Sequence, residues 1–384
     1  MLNLTNSKMS YTKRIDSLFY ELIRVAIGTQ KTLSCLPSGH EWGKLYKMAQ
    51  KQSLVGICFV GLQRLGANSE EGFARISISE MLYLTWMGMA AKIQQKNETM
   101  NRQCVEVQQM IENAGFRTFI MKGQGNAALY NEDLKLLRQP GDIDIYLEGG
   151  FGKVNDFVQR TCPTKEINEL EIHYHCFKDT EVEIHYRPFI MRNPIKNAKL
   201  QRFFKEAMRF DNKVDLQNGV GCINVPTMEF NLVHQMVHIA HHLYTDGIGF
   251  RQLMDYFFSL KVLYGSSLKS DSIEKVGAVV QNLGLERFAS ALMWVLGHVF
   301  GLEKECMLLE PCERDGKLLL DGILQSGNFG HHDKTKVDLS NKWKSFWYVN
   351  SKTFRFWGFD HWAWFWSPLW RMYHFGWRMI KGYK

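Results

Sequence analysis

Asp142 and Asp144 stand two residues apart in an apolar run, alternating with Ile143 and Ile145. Side chains alternate across a strand, so this spacing puts both carboxylates on one face and both isoleucines on the other. Two carboxylates held side by side repel each other until a cation neutralises them. Hard oxygen ligands in such a pair suit Mg²⁺ or Mn²⁺, ions that commonly accompany a phosphate substrate. A second alternating run supplies a third acid. In Glu181-Val182-Glu183-Ile184-His185-Tyr186-Arg187, the residues Glu181, Glu183, His185 and Arg187 share a face. A strand carrying Glu183 beside the Asp142/Asp144 pair would complete a three-carboxylate site for in-line attack at a nucleotide α-phosphate.

An isolated Asp-x-Asp is often only a solvated strand face. Here its surroundings argue for chemistry. A Lys122-Gly123 turn follows a short apolar strand, and Arg138 and Gly141 lie between that turn and the acids. Gly123 lets the backbone approach phosphate oxygens, and a helix after it would present free N–H groups. Lys122 and Arg138 are the candidates for phosphate contacts, because an anionic substrate beside three carboxylates needs added positive charge. Ordinary surface charge is the competing reading for both.

The order Lys122-Gly123, Tyr130, Arg138, Gly141-Asp142-x-Asp144, then Glu183-x-His185-x-Arg187 resembles the uncharacterised nucleotidyltransferase family of the polymerase-β-like nucleotidyltransferase superfamily. Upstream, residues 42–65 and the helix before Gly115-Phe116 resemble the family's helical lead-in. Downstream, Arg251 to Asp255 after a His-rich helix resembles its helical C-terminal half. The resemblance implies Asp142, Asp144 and Glu183 as metal ligands and catalytic residues. It implies Lys122 and Gly123 as the phosphate-side turn, with Arg138, His185, Arg187, Arg251 and Asp255 around the nucleotide. The implied activity is Mg²⁺- or Mn²⁺-dependent transfer of an NMP from an NTP to an unidentified acceptor, with pyrophosphate release. The chain departs from the superfamily pattern in its Lys-Gly-Gln-Gly turn, in a longer gap from Gly123 to Asp142, and in a Glu as third acid. Those departures keep two alternatives open: a catalytically inactive nucleotide- or partner-binding module, or a membrane-surface accessory protein acting through its tail.

That tail is the second unusual feature. Residues 343–384 hold eight of the eleven tryptophans and a net charge of +6 out of +8 for the chain. It divides at Pro368, after which Arg371, His374, Arg378 and Lys381 fall on one helical face. A basic amphipathic helix edged with Trp suits an anionic lipid surface, and basic-aromatic composition suits single-stranded RNA. Packing back on the helical domain is the bland alternative. His234, His238, His241 and His242 share a predicted helix. One straight helix cannot readily surround an ion, so these histidines are expected to line a cleft or sit in the core. Arg251 and Asp255 are one helical turn apart, the spacing of an ordinary i,i+4 ion pair.

The elements that must position these groups follow from periodicity. Helical spacing runs from residue 11 to about 115, including a long helix from near Ser79 to Ala114 with a polar stretch at 94–103. Strands are predicted at 118–121, 142–147, 171–177, 181–187 and 221–225, and helices from 125 to 130 and over 151–161. Thr227 is the expected N-cap of the next helix. The division is a helical region 1–115, a nucleotidyltransferase α/β core 116–225, a helical domain 226–330, and a loop with basic Trp-rich tail 331–384. The fold class is α+β: a small mixed sheet with helices, flanked by helical regions. Hydrophobic residues at 45% and charged at 22% are a globular balance. Eight scattered cysteines without a CxxC pair point away from zinc ribbons and toward reduced, buried thiols. No signal pattern and no apolar run of about 20 residues is present. A cytoplasmic protein is expected, peripheral to the inner membrane face if the tail binds lipid. Which NTP, which acceptor and which oligomeric state are not encoded legibly.

Overall fold

Ser79 accepts a hydrogen bond from the Leu82 backbone and starts a 34-residue helix, Glu80–Asn113. It ends where Gly115 takes the left-handed conformation at φ +85°. The computed structural model describes residues 2–67, 76–245, 247–267, 269–327 and 354–381. Three helices precede the long one: α1 (Leu2–Ile27), α2 (Gly39–Lys51) and α3 (Val55–Ala67), which makes the long helix α4. Helix α3 is apolar nearly all round and is buried nearly all round. Gly56 is required there, since a Cβ would come within 2.4 Å of the Leu137 carbonyl oxygen. That close approach pins the segment that leads into Arg138.

The sheet follows. Strand β1 (Thr118–Met121) runs antiparallel to β2 (Ile143–Leu147), β2 runs parallel to β4 (Val182–His185), and β4 runs antiparallel to β3 (Glu171–His173). The spatial order is β1-β2-β4-β3. The sheet is therefore mixed and small, as expected, and the register puts Asp144 opposite Glu183. Strands β3 and β4 are shorter than the runs 171–177 and 181–187. The chain leaves β4 toward Pro188, and the Tyr186 and Arg187 N–H groups turn to the Leu170 carbonyl. Helix α5 covers only Gly123–Ala127 rather than 125–130, and all five of its residues are buried. Helix α6 (Gly150–Thr161) follows β2. Helix α7 (Pro194–Ala207), capped by Asn193, and strand β5 (Lys213–Leu216), paired with β6 (Gly221–Asn224), were not anticipated.

Thr227 caps α8 (Met228–Tyr244) by accepting from the Phe230 backbone, as predicted. Helices α9 (Phe250–Gly265), α10 (Lys269–Asn282), α11 (Glu286–Val295) and α12 (Glu313–Ser326) complete the C-terminal half. Apolar side chains of α1–α3 and α8–α12 merge into one core, while the sheet packs on α4 and α6 in a second. Most of the predicted loop at 326–341, and 343–353 and 382–384 of the tail, lie outside the described residues. The last helix, α13 (Ala363–Lys381), carries Pro368 inside it rather than starting after it. Phe356 and Phe359 enter the first core, and Arg192 donates to the buried Ser367 hydroxyl at 2.6 Å. His374 pairs with Glu169. Phe365, Leu369, Met372 and Met379 form an exposed stripe on the other side of α13. No helix among the described residues is long and apolar enough to cross a membrane.

Candidate active site

Strand alternation brings the site together as the spacing implied. Asp144 on β2 and Glu183 and His185 on β4 face one cavity of about 360 Å³, with Asp142 at the mouth of β2. Asp144 is 3% exposed and His185 2%. Lys122 Nζ lies 2.6 Å from Asp144 Oδ1, and His185 Nε2 lies 3.0 Å from the same oxygen. Burial opposes the Asp144 charge, yet Lys122 and His185 hold its carboxyl well below the usual range. The neighbouring Asp144 charge pushes Asp142 up, and burial adds to it. Burial raises Glu183 to about 7 against the relief from His185, and the charges of Asp144, Glu171 and Asp142 add to the rise. His185 goes the other way. Burial disfavours its cation, but Glu171, Asp144 and Glu183 push it up to about 10.

Gly123 and Lys122 border this cavity as the turn after β1. Lys122 itself takes a positive φ of +44°, followed by Gly123 at +32°, where an added Cβ would meet the Asp142 carbonyl at 3.3 Å. The one-turn α5 is too short to act as an anion-binding helix end, so phosphate contact there falls to Lys122 and the turn. Arg138 lines the cavity but is already engaged: its Nε and Nη2 donate to Asp255 Oδ1 and Oδ2, each at 2.7 Å. Asp255 thus pairs with Arg138 across the cavity floor rather than with Arg251 along its own helix. Arg251 lines the cavity with its Nη1 near the Gln139 and Pro140 carbonyls, and burial beside Arg138 lowers it to about 10. Arg187 is exposed, with its guanidinium 5.8 Å from the Tyr186 ring, and does not line the cavity. Strand β4 ends before it, so it leaves the shared face.

The opposite wall comes from α8, where His234, His238, His241 and His242 all line the cavity. His234 Nε2 lies 3.1 Å from the Pro188 carbonyl, and His238 and His242 share a 3.1 Å contact between their Nε2 atoms. Burial lowers His234 to about 3 and holds His238 well below its ordinary value, so these two imidazoles are neutral at pH 7.

Two groups escaped the sequence reading. Glu171 on β3 lies with its Oε2 3.2 Å from His185 Nε2, adding a fourth carboxylate. Its signal was the alternation Glu171-Ile172-His173 beside the third acid. The second group is the polar stretch of α4. Asn97 Nδ2 donates to the Leu136 and Arg138 carbonyls at 2.7 and 2.8 Å, and Gln124 Nε2 donates to Asn101 Oδ1 at 2.6 Å. Lys96 and Gln103 hold Asp179 and Thr180 in the β3–β4 turn. One helix face therefore fixes the Lys-Gly turn, the Arg138 segment and the hairpin that carries Glu183.

The family model described as an uncharacterised nucleotidyltransferase matches residues 38–301, which include both the helical lead-in and all of this site. The chain belongs to that family. Among solved structures, it is similar to an antigenic nucleotidyltransferase-like protein from Paracoccidioides brasiliensis, at 9% identity and a TM-score of 0.28, over 59% of this chain and 96% of that one. No curated protein matches the chain. Family membership assigns the general transferase kind to the chain.

Proposed function

We propose that the protein transfers an NMP from an NTP to an acceptor in a metal-dependent reaction that releases pyrophosphate. The observation that carries this reading is the register of β2 and β4, which sets Asp144 opposite Glu183 on the wall that also carries Asp142 and Lys122. The donor set fits the expected ion: Asp142, Asp144 and Glu183 offer hard carboxylate oxygens, and the Asp142 carboxyl is pushed up by the Asp144 charge and the Glu183 carboxyl by burial. Mg²⁺ or Mn²⁺ held by these three would polarise the α-phosphate and offset the charge of the leaving pyrophosphate. Lys122 and Arg251 add positive charge on the same cavity for the triphosphate. The acceptor oxygen forms the new bond to the α-phosphorus as the bond to the bridging oxygen breaks, and its proton is lost to solvent. The neutral His234 and His238 of α8 can hydrogen-bond an uncharged polar acceptor without competing for the ions.

A nucleotide-binding module without transfer is the competing reading, favoured by the Lys122–Asp144 ion pair that occupies a ligand oxygen. The test is pyrophosphate release with each NTP, alongside thermal shifts with and without Mg²⁺ or Mn²⁺. A metal-dependent shift lost in Asp142→Asn/Asp144→Asn, with pyrophosphate released, supports transfer. A shift without pyrophosphate under any acceptor mixture supports the module, and no shift with any NTP counts against both.

A further inference from the structure

The β3 side of the sheet carries a donor set that the aspartate pair does not use. Glu171, His173 and Glu183 each bring one ligand atom within 4.8 Å of the other two. The register explains why: His173 is the cross-strand partner of Glu183, and Glu171 is that of His185. Glu183 also belongs to a second group within the same limit, with Asp144 and His185. One carboxylate therefore stands between two sets of donors.

The two histidines are held differently. Glu181, outside the triad, lies 2.6 Å from His173 Nδ1. A carboxylate behind an imidazole fixes its tautomer, so Nδ1 carries the proton and Nε2 keeps its lone pair. That is the usual setting of a metal-bound histidine. His185, by contrast, points Nε2 at Asp144, Glu171 and Glu183, at 3.0, 3.2 and 3.8 Å. Its Nδ1 has no hydrogen-bond partner among the described residues. His185 thus acts as a buried donor that gathers carboxylates, while His173 is prepared as a ligand.

We propose that Glu171, His173 and Glu183 bind a transition-metal ion of the Zn²⁺ or Mn²⁺ class, at a site that shares Glu183 with the nucleotidyl site but does not depend on transfer. An imidazole in the set selects against Mg²⁺, which prefers oxygen and keeps its waters. Ligand atoms about 2.1 Å from one ion stand at most about 4.2 Å apart, so only a small rotamer adjustment separates this triad from coordination. Three protein ligands leave a position for water or substrate. Glu171 and Glu183 line the cavity, so the ion would sit at its rim.

The test is isothermal titration of chelator-stripped, full-length protein with Zn²⁺ alone, without nucleotide. Wild type is expected to take one Zn²⁺ per chain, tenfold or more weaker in His173→Ala and in Glu171→Gln. Asp142→Asn/Asp144→Asn and His238→Ala should retain it. Co²⁺ in place of Zn²⁺ should give a visible absorption band that His173→Ala loses. Circular dichroism checks each fold, and Glu171→Gln, which keeps side-chain size, decides the matter if His173→Ala unfolds. Three outcomes overturn the proposal: no Zn²⁺ binding by wild type, equal binding by both β3 variants (an adventitious ion only), or loss in the aspartate or His238 variants instead. None of these touches pyrophosphate release, so the transfer reading stands or falls separately.

Discussion

Arg138 and Asp255 meet in a two-pronged ion pair, Nε to Oδ1 and Nη2 to Oδ2, both at 2.7 Å, with each side chain 6% exposed. The Tyr130 hydroxyl donates to Asp255 Oδ1 as well, at 2.7 Å. The pair ties the segment before Asp142 and Asp144 to α9, so it joins the α/β unit to the C-terminal helices. Removing one partner strands the other charge in a sealed site, at a typical loss of about 3–5 kcal/mol. Asp255→Ala should therefore lower the urea midpoint sharply, while Arg138→Met/Asp255→Leu should recover much of it. If Asp255→Ala unfolds at the wild-type midpoint, the pair is not what joins the two parts.

Asn97 gives a milder prediction of the same kind. Its amide serves the carbonyls of Leu136 and Arg138 from a fully buried position. Asn97→Ala leaves both acceptors without that donor, which should cost roughly 2 kcal/mol. Because Arg138 and Gly141 lie just beyond, NTP affinity should fall too, in the same thermal-shift assay. Unchanged stability with intact nucleotide binding would show that water replaces the amide and that α4 does not position the site.

How much of this was legible depends on what kind of pattern carried it. Period-2 alternation places Asp142 with Asp144 and Glu183 with His185, because a strand leaves a side chain only two faces. That β2 and β4 lie side by side came from the resemblance, since pairing is a long-range property that neither run encodes. Glu171 was passed over although its strand was predicted, because its pairing with His185 is a long-range property that the run itself does not encode. The stretch at 94–103 reads only as a polar part of the long helix. Asn97, Asn101 and Gln103 are in fact buried against the Arg138 segment, Gln124 and the β3–β4 turn, a purpose visible only when those loops are in place. Arg251 and Asp255 show the limit of local spacing: one turn apart on α9, they are not the pair that forms, because Arg138 offers Asp255 both prongs of a buried guanidinium. Strand β5 and helix α7 lacked a clear period and were missed.

Metal affinity should depend on pH through Glu183. Its carboxyl is pushed up to about 7 from an ordinary 4.5, so the folded protein holds a proton there that the unfolded chain has released. Its ionisation therefore weakens the fold as pH rises through 4.5 to 7. Ion binding needs the ionised form and gains over the same rise. His185 does not compete in this window: its stabilising charge is fully present below about 6.5 and is lost only as pH rises through about 10. Mn²⁺ should bind the wild type about tenfold more tightly at pH 8 than at pH 6, with close to one proton released. Glu183→Gln should flatten the dependence. Titrations in buffers of different ionisation enthalpy measure both quantities, and equal affinity at the two pH values would remove Glu183 from the ligand set.

Lys122 faces two demands with opposite consequences. Its ammonium sits 2.6 Å from Asp144 Oδ1, held there by a turn with φ +44° at Lys122 itself. Without ions it shares with His185 the neutralisation of a buried carboxylate. With nucleotide bound, the same charge is the nearest one available to a triphosphate. Lys122→Met removes both. Asp144 loses an internal competitor, so Mn²⁺ alone should bind severalfold more tightly, read by the free-ion signal in electron paramagnetic resonance. NTP, measured at saturating Mn²⁺, should bind at least tenfold more weakly, since a charge-assisted contact is worth about 1.5–3 kcal/mol. A purely structural lysine would weaken both together as the turn relaxes. Opposite signs for the two ligands are what the geometry requires, and a parallel change would mean that Lys122 only holds the turn.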